Sequence, residues 1–151
     1  MNQELIIAQT KAESRALEHV TRALEIMLGW SVAGDGYTRK LSSVRFFTEL
    51  YQRHLERLFA LEEVDGFMEN IVRLRPELAN LVNGLKKEHE EIRADIRKSL
   101  VRIDLASPQQ LTQFDETCGQ LRRTINRVLD HLREESDLLV QTFTQETGGE
   151  A

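Results

Sequence analysis

Four histidines stand at near-equal intervals along the chain, His19, His54, His89 and His131. A neutral imidazole is a good ligand for iron, zinc or copper, so metal binding is the first chemistry they suggest. Each lies among small or apolar residues at helical spacing. His54 has Leu50, Tyr51, Leu58 and Leu61 around it, and His89 has Val82, Leu85, Ile92 and Ile96. His131 shares a face with Val128 and Leu138, and His19 has Ala12, Ala16 and Ala23 above and below it. A single histidine on such a face is usually a satisfied core residue. Four of them buried without partners would cost about 1–3 kcal/mol each, a cost that a bound ion removes. Glu135 follows His131 by four residues, one helical turn, so both side chains reach the same ion or adjacent ones. Glu134 is the weaker choice, and Glu18 and Glu88 point about 100° away from their histidines, as supporting acceptors or surface groups.

The elements that must position these groups are helices. Proline occurs only at Pro76 and Pro108, and glycine gathers at Gly29, Gly34, Gly36, Gly66 and Gly148-Gly149. Between these breaks the apolar residues recur with helical period. The pattern predicts helices over about 2–28, 38–64, 77–105 and 112–143, with a connector over 67–75 that has room for a short helix. Pro76 suits the first turn of the third long helix, because its missing N–H costs nothing there. Ser107-Pro108 and Thr112 with Asp115 are two alternative starts for the fourth. Period-two alternation is missing. The predicted fold is all-α, an antiparallel up-down-up-down four-helix bundle over residues 1–145 with a flexible tail over 146–151.

Heights along the bundle can be compared at about 1.5 Å per residue. His54 lies about 15 Å before the end of its helix and His89 about 18 Å after the start of the next, which predicts that they meet. His89 and His131 match similarly, at about 24 and 27 Å from their shared turn, if Thr112 is the working cap. His19 fits less well. The resulting ligand set is His19, His54, His89, His131 and Glu135.

Composition excludes several classes. The 151 residues allow one domain, and 20 Lys plus Arg against 25 Asp plus Glu give a net charge of -5 with no basic run. Nucleic acid is therefore not an expected partner. The longest apolar stretch, near Ile26 to Ala33, is too short for a bilayer, so no membrane partner is expected. One cysteine, Cys118, cannot form an internal disulfide, and the first residues lack a secretory pattern. The expectation is a cytoplasmic protein.

The quoted residues resemble the hemerythrin-like, HHE cation-binding family. The matching pieces are Leu17-Glu18-His19, Phe46-Phe47 leading to His54, Glu88-His89-Glu90-Glu91-Ile92-Arg93, and His131-Leu132-Arg133-Glu134-Glu135. The resemblance implies a four-helix bundle holding non-heme iron, one ion or two, with histidines from all four helices. In the second helix the family usually has a bridging Glu four residues after the histidine, and here that place is Leu58. Glu62 shares the face but stands about 12 Å beyond His54, too far to replace it on that reading. His89 has Leu85 and Arg93, not a second histidine, one turn away.

The function expected is metal binding, with iron first and zinc second, for dioxygen or redox sensing or for iron handling. Dioxygen or another small ligand and a homodimer are the partners considered beside the metal ion. No nucleophile–base pair and no phosphate-cradling glycine loop stands out, so the sequence leans away from an enzyme. The competing reading is a bundle without metal that acts as an interaction or signalling module. Leu55 and Leu58 favour it, as apolar residues where ligands are expected.

Overall fold

The computed structural model describes residues 3–32, 36–64, 66–107 and 109–148. Its helices are α1 (Gln3–Leu28), α2 (Gly36–Glu63), the short α3 (Phe67–Leu74), α4 (Ala79–Leu105) and α5 (Leu111–Gly148). A 3₁₀ turn, Pro76–Leu78, leads into α4. Among the described residues there is no strand, and no helix is long and apolar enough to cross a membrane.

Pairs of tied residues give the direction of each neighbour. Lys40 near the start of α2 donates to the carbonyls of Leu28 (3.2 Å) and Trp30 (2.7 Å), while His54 farther along α2 meets Glu13, far back on α1. Arg45 donates to the Ile103 carbonyl (3.2 Å) at the end of α4, and Glu63 at the end of α2 meets Arg93. Arg102 pairs with Gln120, and Glu88 with His131. Every neighbour runs antiparallel, so α1, α2, α4 and α5 form the up-down-up-down bundle. Lys40 is nearly fully buried, and its ammonium closes the carbonyl end of α1, where the helix dipole favours a cation.

Leu17, Val20, Leu24 and Leu28 are the inner residues of α1, four apolar side chains three or four residues apart, as a single buried face requires. The core falls into two apolar clusters. The larger joins α1, α2, α4 and α5 through residues such as Leu24, Val44, Phe59, Ile92 and Val128. The smaller is built on α3, whose Met68 and Ile71 are completely buried against Val82, Leu85 and Leu138. The connector is thus a plug across the end of the bundle.

Three local expectations change. Pro76 opens the 3₁₀ turn and not α4 itself, which starts at Ala79. Thr112 is not the cap of α5. The Gln110 carbonyl accepts the first helical hydrogen bond, from the Phe114 amide at 3.1 Å, and Thr112 lies in the exposed first turn. Pro108 lies outside the described residues. Finally, α5 continues through Gly148, so residues 146–148 are helical, and residues 149–151 of the expected tail lie outside the described residues.

Candidate metal centre

Between the two apolar clusters lies a polar layer. His89 sits between Leu85 of the smaller cluster and Ile92 of the larger, and His131 and Glu135 sit between Val128 and Leu138. On α2 the inner stripe runs through Tyr51, Leu55, Leu58 and Phe59 to Glu62. It ends in a carboxylate at the level where the apolar clusters part. His89 and His131 are fully buried, Glu62 is 2% exposed and Glu135 4%.

Glu135 is the hinge of this layer. Its Oε1 lies 2.9 Å from Nε2 of His89 and 2.5 Å from Nε2 of His131. One ligand atom from each of these three residues falls within 4.8 Å of the others, the spacing of groups that can share an ion. Glu62 hydrogen-bonds Glu135, and its Oε1 stands 3.9 Å from Nε2 of His89 with no hydrogen-bond partner. An orphaned carboxylate oxygen at such depth is costly, and a cation beside it would satisfy it.

The outward nitrogens of both imidazoles are held in the same way. Nδ1 of His89 is 2.6 Å from Glu63, and Nδ1 of His131 is 2.6 Å from Glu88. Each carboxylate has its own arginine, Arg93 at 3.0 Å from Glu63 and Arg127 at 3.6 Å from Glu88. With Nδ1 committed to a carboxylate, Nε2 is the inward nitrogen of each ring, donating to Glu135 here and offering its lone pair only where an ion would replace that proton. The His89 ring also stacks on Phe59, with centroids 3.7 Å apart and planes within 11°, and the Arg93 guanidinium lies over the same phenyl ring. His89 is therefore fixed in both position and rotation.

The charges diverge within this cluster. Burial pushes the Glu62 carboxyl up to about 11, and the hydrogen bond and charge of Glu135 push it the same way. Burial would raise Glu135 too, but hydrogen bonds from His131, His89 and Glu62 outweigh it and hold that carboxyl at about 2. For His131, burial favours the neutral ring, yet Glu135 and Glu88 together raise its pKa. Without an ion, protons thus hold the two inner carboxylates and the imidazoles together.

Of the five expected ligands, the structure brings together His89, His131 and Glu135 and places the other two elsewhere. His19 is exposed on α1 and accepts from Arg22 at 3.4 Å, because Leu17 and Val20 take the inner face. His54 is half-buried on the α1 side of α2, where Nδ1 meets Glu13 at 2.7 Å. The apolar stripe of α2 is rotated from the one read in the sequence. Leu55 is in the core, whereas Leu50 and Leu61 are only half-buried.

The heights read from the sequence set the end of α2 level with the start of the next long helix, across the 67–75 connector. With α3 filling that connector, the first ten residues of α4 run beyond the end of α2, and His89 comes level with Glu62 and Glu63. Glu62 and Glu63 were therefore missed as site residues. The available signal was a carboxylate continuing the stripe of Leu55, Leu58 and Phe59. Glu88 serves as the acceptor that its place beside His89 allowed, but for His131 and not for its sequence neighbour. Glu18 is exposed and pairs with Arg22 at 3.8 Å, and Glu134 is exposed as well.

The cluster has the donors that a divalent transition ion requires, two imidazole nitrogens and two carboxylates, dry and already oriented. No curated protein and no solved structure was found to match the chain. The model of the hemerythrin HHE cation binding domain matches residues 5–143, nearly the whole chain, which accordingly belongs to that family of cation-binding helical domains.

Proposed function

We propose that His89, His131, Glu135 and Glu62 bind one non-heme ferrous ion in the bundle core, with zinc as the competing metal, and that the protein serves dioxygen or redox sensing or iron handling. The observation that carries this reading is the unpartnered Oε1 of Glu62, buried beside Nε2 of His89. Four inward donors suit a single ion better than a bridged pair. The remaining nearby carboxylates, Glu63 and Glu88, are committed to the outward nitrogens of the histidines. A ferrous ion held by four protein donors would supply a coordination position for dioxygen or another small ligand. Around it the chain's own residues do the rest. Glu63 and Glu88 hold the rings, Phe59 and Leu85 exclude water, and Glu62 would release its proton to solvent on binding the ion. Met68 and Ile71 close the end.

The test is elemental analysis of untagged protein, reconstituted anaerobically with ferrous iron and, separately, with zinc. About one metal per chain is expected, lost in His131→Ala. Two irons per chain would overturn the single-ion assignment. A chain that stays empty with both metals would leave the interaction-module reading in its place.

A further inference from the structure

A groove of about 580 Å³ opens where α1, α3 and α5 meet, next to the end of α2. Its walls are Ile6 and Ile7 of α1, Leu61 of α2, Phe67 and Leu74 of α3, and Leu139 of α5. Ile7 and Leu74 are each about half exposed, so apolar surface continues to the mouth of the groove. The charged groups of the lining are Lys11 of α1 and Arg73 of α3, and no carboxylate lines it among the described residues. Neither cation has an ion-pair partner among the described residues, although the chain as a whole carries -5.

We infer that this groove binds one free amphipathic carboxylate of fatty-acid type, its chain along the Ile6–Leu74 wall and its headgroup between Lys11 and Arg73. The volume is that of a small-molecule site. Two unneutralised cations at an apolar mouth complement a single anion attached to an apolar tail. A second copy of this chain is disfavoured as occupant, because two-fold pairing of the grooves would set Lys11 and Arg73 against their own counterparts. A bilayer is disfavoured too, since two cations on a protein of net charge -5 give little attraction to an anionic surface. The inference is independent of the metal centre, so metal-free and metal-loaded protein are to be tested alike.

Dodecanoate is titrated calorimetrically into the full chain below its micelle concentration, with dodecyltrimethylammonium as the cationic control. One dodecanoate per chain is expected, with the cationic analogue roughly tenfold weaker or worse. The double variant Lys11→Ala/Arg73→Ala should weaken dodecanoate by about tenfold, bringing the two amphiphiles closer together. Ile7→Glu, a change at an exposed position that puts a carboxylate at the mouth, should abolish binding and carries the test if the double variant does not fold. The proposal is overturned if binding does not saturate, if both amphiphiles bind equally, or if Ile7→Glu binds normally. It is also overturned if phosphatidylglycerol vesicles sediment the protein where free dodecanoate does not bind, or if the chain sediments as a dimer that Ile7→Glu halves and dodecanoate leaves unchanged.

Discussion

Glu62 presents an unpartnered carboxylate oxygen to Nε2 of His89 at 3.9 Å, in a part of the core where both residues are almost inaccessible. A burial of this kind is hard to explain by stability alone. A leucine there would continue the apolar stripe of α2 without a desolvation penalty. Glu62→Leu should accordingly leave the metal-free protein at least as stable as the parent while lowering metal affinity roughly 100-fold or more, the upper end of what even outer partners contribute. A chromophoric chelator in competition reads the affinity, and thermal unfolding reads the stability. Unchanged affinity would remove Glu62 from the ligand set.

The histidines should separate into two classes. His131→Ala should abolish metal retention. His54→Ala, which breaks the half-buried contact with Glu13, should keep full metal content and cost about 1 kcal/mol of stability. Metal content and a denaturant melt on the two variants decide this. Metal lost in both would mean that the second histidine joins the centre in a way its contact with Glu13 does not suggest.

Glu63 and Glu88 act through the histidines they hold. Glu63→Ala should weaken metal binding by about 10–100-fold, and Arg93→Ala, which removes the guanidinium that steadies Glu63, should lie at the lower end of that range. The competition assay applies again. An Arg93→Ala effect exceeding that of Glu63→Ala would show that the arginine works chiefly through its contact with Phe59.

The pH dependence should change sign with metal. In the metal-free protein, Glu62 is raised from 4.5 to about 11, so folding binds a proton between those values and its contribution to stability falls as pH rises. His131 is also raised, so its contribution is present below its ordinary 6.5 and fades as pH rises through the higher folded value. Glu135 is lowered to about 2, so its contribution holds above 4.5 and is lost as acid approaches 2. The melting temperature of metal-free protein should therefore fall from pH 6 to pH 9. Metal binding should release protons, and metal affinity should rise over the same interval. Melts at both pH values and proton release into a weakly buffered indicator test the pair. A metal-free melting temperature that rises with pH would contradict the assignment of the proton to Glu62.

The plug formed by α3 should be a stability element as well as a cover. Met68→Ala empties a fully buried place and should cost about 2–5 kcal/mol. Loaded protein should then lose metal to a chelator faster. Stability lost without faster metal release would show that α3 supports the fold but does not gate the centre.

The bundle itself was legible in the sequence because helical periodicity is local: Leu17, Val20 and Leu24, or Val82, Leu85, Ile92 and Ile96, mark an inner face from spacing alone. The His131–Glu135 pair was legible for the same reason, since one helix turn fixes both partners. How α2 slides past α4 had to wait for the tertiary structure. The register of α2 against α4 is set by α3, an element whose eight residues read only as a connector with room for a helix. Once Met68 and Ile71 are packed as a plug, α4 extends past α2, and Glu62, not His54, comes level with His89. A rotation of about one residue, Leu55 inward in place of His54, then turns His54 toward Glu13. Spacing along one helix gives a face. Which residues on two faces meet is decided by packing volume at the bundle end, which no single helix encodes.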